Sequence, residues 1–147
     1  PRVPPRLFYG FAALLVVTGL SLHLITHETI PWARTDVDHS NIVPDQSFEI
    51  TAANHEFSMP APKLEITCGQ NVLINVTSED LTYGFGLFRK DHSMVLQMQV
   101  VPGHRNEVLW RFDQNGVYDI RSTEYSGPAG LRMGVIDAVE VTGCPAS

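Results

Sequence analysis

The chain has 147 residues, with 10 Lys and Arg against 16 Asp and Glu, a formal charge of −6 and 44% hydrophobic residues. At roughly 100–200 residues per domain this length holds one folded domain plus an accessory segment, which excludes a multi-domain enzyme, and the apolar content excludes disorder. All sixteen acidic residues follow His27 but only eight of the basic ones do, so residues 28–147 are strongly acidic, which argues against nucleic acid as a partner.

Residues 7–26 read LFYGFAALLVVTGLSLHLIT, without a single Asp, Glu, Lys or Arg. A helix of that length spans about 30 Å, the thickness of a bilayer's hydrocarbon core. Arg2 and Arg6 precede it and Glu28 follows. The positive-inside tendency therefore puts the short N-terminus in the cytoplasm and the rest on the outer, periplasmic or extracellular face of the cell inner membrane. A secretory signal peptide would have a shorter apolar stretch ending in a small-x-small cleavage site. None follows Thr26, so the expectation is a retained, single-pass anchor in the lipid bilayer over residues 1–27.

His23 and His27 stand one turn apart near the outer end of this helix. Such a pair can ligate haem or hydrogen-bond a quinol, but two imidazoles titrating at headgroup level are the simpler reading. Residues 28–46 contain Pro31, Pro44 and scattered charge without periodicity, as expected of a linker, with Trp32 as an interfacial anchor.

From residue 47 onward the pattern changes to short extended runs between turn residues, with no helix-period stretch. The runs are 48–52, 64–67, 72–76, 95–101, 108–112, 117–121 and 133–141, punctuated by Gly69, Pro102-Gly103, Asn115-Gly116 and Gly143. Strands at this spacing predict an all-β, Greek-key β-sandwich over residues 47–147, long enough to bury one core. Two cysteines, Cys68 and Cys144, are too few for a disulfide-framework miniprotein or a four-cysteine zinc site. A hydrolase or transferase is not indicated either: there is no phosphate-binding loop or dinucleotide fingerprint, and Ser126 in YSGP lacks a nucleophile-elbow pattern.

Several runs, in order, resemble the copper-A domain of the cytochrome c oxidase subunit II family. PAPKLEITCGQNV is similar to the family's Pro-x-x-Ile-x-Val-x-x-Gly-x-x-Val. TSEDLTYGFG is similar to its Thr-Ser-x-Asp-Val-x-His-Gly-Phe. VVPGHRNEVLWRFDQNGVYDIRSTEYSGPAGLRM is similar to its Pro-Gly hairpin, Pro-Gly-x-Tyr strand and metal loop. The single helix, ending in LITHET, is similar to the short subunits II of B-type haem–copper oxidases. The resemblance covers nearly the whole chain and implies a cupredoxin-like sandwich on one N-terminal transmembrane helix.

The metal loop departs from the family pattern. That pattern supplies two bridging thiolates, two imidazoles, a thioether and a backbone carbonyl. Here the upstream His position is Tyr83, the thiolate positions are Ser122 and Ser126, and the loop His position is Gly130; only Glu124 and Met133 match. Hydroxyls do not replace thiolates at neutral pH, and copper selects soft thiolate and imidazole ligands. The expectation is that this chain holds no copper and no other cofactor. A mononuclear blue-copper site needs a Cys with two His nearby, which these residues also lack. His92 and His104 fall in loops expected to be exposed, and the spacing of His39 and His55 suggests no metal. For Glu124 two readings stay open: a magnesium ligand at the boundary with the catalytic subunit, as in some relatives, or a carboxylate bonded to the loop's own amides.

In a cupredoxin topology the strands ending near Cys68 and Cys144 run side by side in the same direction, away from the metal loop. The resemblance therefore implies a disulfide in an oxidising compartment, with two separate thiols as the alternative.

The resemblance further implies a non-redox accessory subunit II of a membrane haem–copper oxygen or nitric oxide reductase. Haems and copper would lie in the partner catalytic subunit I, and quinol would be the reductant. The pole formed by Tyr83 and residues 122–133 would cap the outer face of that partner. Tyr83 and Tyr125 would sit at the boundary, while the Ser122 and Ser126 hydroxyls would bond neighbouring backbone groups. The alternative readings are a docking module for a soluble cytochrome c, drawn by the acidic charge, and a free-standing tethered binding module.

Overall fold

The structure, a computed structural model, describes residues 4–30, 33 and 39–145. Arg2, Pro31 and Trp32, and with them the interfacial role expected of Trp32, lie outside the described residues. The chain divides into two compact units, Pro1–Asn41 and Ile42–Ser147.

The first unit carries one helix, α1 (Pro5–Thr29). It is long and apolar enough to cross a membrane, with a mean hydropathy of 1.9 and no side chain buried inside the unit. Pro5 stands at its start, where the missing N–H costs nothing because that group has no intrahelical partner. The helix runs past residue 26, where the apolar stretch ends. Its last turn includes His27, and Thr29 Oγ1 donates back to the Ile25 carbonyl one turn earlier at 2.7 Å, as a helical threonine commonly does.

In the second unit the described residues form nine strands: β1 (Gln46–Ala53), β2 (Glu56–Ser58), β3 (Leu64–Thr67), β4 (Asn71–Ser78), β5 (Tyr83–Phe88), β6 (Met94–Val100), β7 (Asn106–Arg111), β8 (Gly116–Arg121) and β9 (Gly134–Thr142). They make two sheets, one in the order β2-β1-β4-β7 and the other β3-β9-β8-β5-β6. Most pairs are antiparallel, but β1 runs parallel to β4 and β3 parallel to β9. The inward residues of the two sheets meet in one core: Ile50, Val72, Ile74 and Val76 from the first, and Phe85, Leu87, Ile120 and Val139 from the second. β4 alternates buried and half-exposed positions along its length, the period-two pattern of a strand with one covered face.

β2 and β5 are strands that the hydrophobic pattern does not predict. β5 reads YGFGLF and five of its six residues are buried, because both of its faces are covered. On the outer face the 122–124 segment crosses directly over the strand. A Cβ on Gly84 would meet Thr123 Oγ1 at 2.2 Å and the Glu124 backbone nitrogen at 2.6 Å. One on Gly86 would meet Thr123 Cγ2 at 2.5 Å. The glycines are there for close approach, which is why the run has little β propensity. Gly84→Ala is expected to lower stability by about 2 kcal/mol, the range of overpacking in a fixed backbone environment. Urea denaturation of the full chain in detergent, against wild type, measures it; an unchanged midpoint would show that the 122–124 segment is free to move.

Cys68 and Cys144 are joined by a disulfide, with a Cα–Cα distance of 5.0 Å. It ties the chain just beyond β3 to the chain just beyond β9, beside the start of β8. Two bonds finish this end: the Cys68 N–H donates to the Thr142 carbonyl at 2.8 Å, and the Cys144 N–H to Asn115 Oδ1 at 2.8 Å. The loop after β8 lies at the other end of β9, about 27 Å away by strand rise.

Candidate functional site

That loop, residues 122–133, is closed at its base by the Ser122 N–H donating to the Met133 carbonyl at 3.0 Å. Its second half is wound into a single 3-10 turn, Gly130–Arg132. There the N–H groups of Gly130, Arg132 and Met133 donate to the carbonyls of Gly127, Ala129 and Gly130, each at 3.1 Å. β5 starts at the same pole with Tyr83, and the tip of the β1–β2 hairpin arrives beside it. The expected site positions are therefore neighbours.

Their environments differ sharply. Tyr83 and Met133 are buried in the core, and Gly130 is buried within the loop. Ser122 is half-buried; its hydroxyl accepts from the Gly84 N–H at 3.4 Å and donates to the Glu124 carbonyl at 3.2 Å. Ser126 corrects the expectation of a hydroxyl bonded to the backbone: its Oγ is buried and has no hydrogen-bond partner among the described residues. Tyr83 corrects another. With a relative exposure of 0% it faces the interior and cannot sit at a boundary, whereas Tyr125 and Leu131, at 71% and 77%, project from the loop. The Glu124 side chain is exposed and makes none of the bonds to loop amides that one reading allowed.

The residue that sequence reasoning missed is His55. Asn54 and His55 form the two-residue turn of the β1–β2 hairpin, with φ of 51° and 63°. A turn of this kind requires positive φ at both positions and suits Asn-Gly far better than Asn-His. The turn is held from the Tyr83 side. The Asn54 N–H donates to Asp80 Oδ2 at 2.8 Å, and the His55 N–H donates to the Tyr83 hydroxyl at 3.1 Å. The Asp80 carboxylate, which accepts from Asn54, also lies near enough to Tyr83 for its charge to act on the phenol. The amide of Asn54 holds the Asp80 carboxyl below its usual range, while burial pushes the Tyr83 phenol up, so the pair stays carboxylate and neutral phenol. The His55 ring stands edge-on to Tyr83, centroids 5.7 Å apart, and its Nε2 lies 2.8 Å from the Ser126 carbonyl oxygen. A carbonyl only accepts, so Nε2 carries the hydrogen.

The other histidines lie elsewhere. His92 is exposed after β5, within 3.3 Å of the Arg121 guanidinium, and His104 is exposed in the β6–β7 turn. Among the described residues no three His, Cys, Asp or Glu side chains gather as a metal-binding group. The donors that do meet at the pole are a phenol, two hydroxyls, one imidazole and one thioether, and both cysteines are oxidised at the opposite end. This set does not fit a binuclear copper centre, which needs two thiolates to bridge the metals.

No protein-family model matches the sequence, and the curated proteins contain no match to it. Solved structures do match. A chain of a haem–copper terminal oxidase dimer, determined by cryo-EM, superposes with a TM-score of 0.60 at 21% identity, over 91% of this chain and 97% of that one. Auracyanin B matches with a TM-score of 0.56 at 14% identity, over 69% of this chain and 91% of its own. The fold is cupredoxin-like. The periplasmic domain of subunit II of cytochrome oxidase from Bradyrhizobium japonicum has the same cupredoxin-like fold, with a TM-score of 0.50 at 14% identity over 68% of this chain and 86% of that domain. In this chain's cupredoxin-like domain, one pole carries Tyr83, Ser122, Ser126 and Gly130.

Proposed function

We propose that this chain is a non-redox accessory subunit II of a membrane haem–copper oxygen or nitric oxide reductase, one that takes electrons from quinol. The observation that carries the reading is the chemistry of the pole. A cupredoxin-like domain whose metal loop offers hydroxyls, a phenol and a glycine in place of thiolates and imidazoles has no centre with which to relay electrons from a soluble donor. Electrons must then reach the catalytic subunit by another route, and a membrane-borne quinol supplies one without passing through this domain. The likeness to a chain of a terminal oxidase dimer, spanning helix and domain together, supports membership of such an assembly. In this reading α1 anchors the chain, the domain stands on the outer face, and no copper pair is held here.

The work of the domain is then to cover. Tyr125 and Leu131 give the loop an exposed apolar tip, and Arg132 stands beside them. Tyrosine and arginine beside apolar side chains are the composition of interface centres. Seated on the outer face of the catalytic subunit, such a surface excludes water from the haem edge without exchanging electrons with it. Glu124, exposed on the same loop, remains available to a divalent cation at that boundary.

Purification of the full chain in mild detergent tests the reading. The expected result is a haem-containing partner that co-migrates, quinol oxidation by the complex, and no near-infrared absorption of a copper pair. Salt-dependent oxidation of cytochrome c by the complex would instead favour the donor-docking role that the acidic charge allows. Migration of the chain without any haem protein would refute the assignment.

A further inference from the structure

We infer that His55 is the positioning residue of this pole: its ring takes the space beside Gly130 and ties the β1–β2 turn to the 122–133 loop. In this chain a side chain from another strand pair does what loop-borne metal ligands would otherwise do.

The geometry carries this from both sides. The ring Cδ2 lies 3.6 Å from where a Cβ on Gly130 would stand, so the imidazole abuts the position from which the family's loop histidine would project. The same Cβ would lie 2.2 Å from Ser126 Oγ. The space is therefore filled by Ser126 from within the loop and by His55 from outside it. His55 contributes two bonds of opposite reach: its N–H goes to Tyr83 at the foot of β5, and its Nε2–H to the Ser126 carbonyl, 71 residues away. It does so from a left-handed backbone conformation that only a few per cent of non-glycine residues adopt. A glycine at position 55 would serve the turn better, so the imidazole is retained at local conformational cost, a pattern that concentrates at functional positions. The loop has few other ties. Its first residues are held by Ser122, through the N–H to Met133 and the hydroxyl between Gly84 and Glu124; beyond residue 124 the internal bonds among the described residues are those of one 3-10 turn, which holds few residues and has poor hydrogen-bond geometry.

The test is amide hydrogen exchange on the full chain in detergent, comparing wild type, His55→Gly and His55→Gln. Glycine relaxes the turn while removing the tie, so local and global effects separate. The expected result is that amides of Gly130, Arg132 and Met133 exchange at least tenfold faster in His55→Gly, while β8 and β9 amides near Cys144 keep wild-type protection. Glutamine, which can donate a side-chain N–H over a similar reach, should restore most of the loop's protection. Unchanged exchange in the loop, or an equal rise at both poles, would overturn the inference. The experiment needs no partner protein, so its failure leaves the capping role standing, and the failure of that role leaves the tie standing.

Discussion

Reducing the Cys68–Cys144 disulfide, or replacing both cysteines with serine, is expected to lower the stability of the domain by about 4 kcal/mol in the chain-entropy model. The bridge closes a loop with a sequence separation of 76 and so removes a large set of open conformations from the unfolded chain. It also secures the edge strand β3, which has β9 as its single neighbour in the sheet. Urea denaturation of the full chain in detergent, with and without reductant, gives the effect as a shift in midpoint. Equal midpoints would mean that the reduced chain keeps β3 docked without help. The four hydrogen-bonded rungs between β3 and β9 are too few for that to be expected.

The second large effect is expected at Asp119. This carboxylate is 4% exposed and lies at a bulge in β8, where the pairing with β9 shifts between Tyr118 and Ile120. It accepts from Lys90 Nζ at 2.5 Å, from the Arg121 guanidinium at 3.0 Å and from the Asp137 backbone N–H at 3.0 Å. Asp137 itself has φ of 55° and pairs with the same lysine. Burial alone would raise the Asp119 pKa, but the bond from Lys90 and those from Asp137 and Arg121 outweigh it and hold the group at about 2. Asp119→Ala removes the acceptor of a part-buried N–H, leaves the left-handed Asp137 unsupported and strips Lys90 and Arg121 of their shared partner, for a loss of about 3 kcal/mol. The sign with pH follows from the lowered value. The folded state prefers the carboxylate, so the contribution is complete above the ordinary value of 3.8 and is lost as the pH falls toward about 2. Denaturation midpoints between pH 6 and pH 2 check this. Wild type should lose stability more steeply than Asp119→Asn below about pH 4. Parallel curves would show that Asp119 does not couple protonation to folding.

Much of the fold was legible because it rests on patterns that sequence displays directly. β4 alternates, the turns carry Gly, Pro and Asn, and α1 is a continuous apolar run. What escaped were features set by contact rather than by periodicity. β5 looks like a poor strand because Gly84 and Gly86 answer to the 122–124 segment passing over them, a neighbour some forty residues ahead. β2 is three residues long and is defined only by the left-handed turn before it. Tyr83 reads as an amphipathic boundary residue until its neighbours are known; its hydroxyl accepts from the His55 N–H inside the domain. The residue types at Tyr83, Ser122, Ser126 and Gly130 could be read directly from the sequence. The imidazole packed beside that loop could not be foreseen, because nothing in the run NHEF ties His55 to Ser126.

The parallel pairing of β3 with β9 has a consequence for the order of events during synthesis. β3 leaves the ribosome early, yet the strand it must lie against is the last of the described strands to be made. Until residue 142 has emerged, the second sheet lacks the strand that joins β3 to β8, and Cys68 has no thiol within reach. The domain therefore keeps an open apolar sheet face through most of its synthesis and completes its core only once β9 has emerged. This waiting interval, rather than the finished domain, is when it most needs a chaperone at its side.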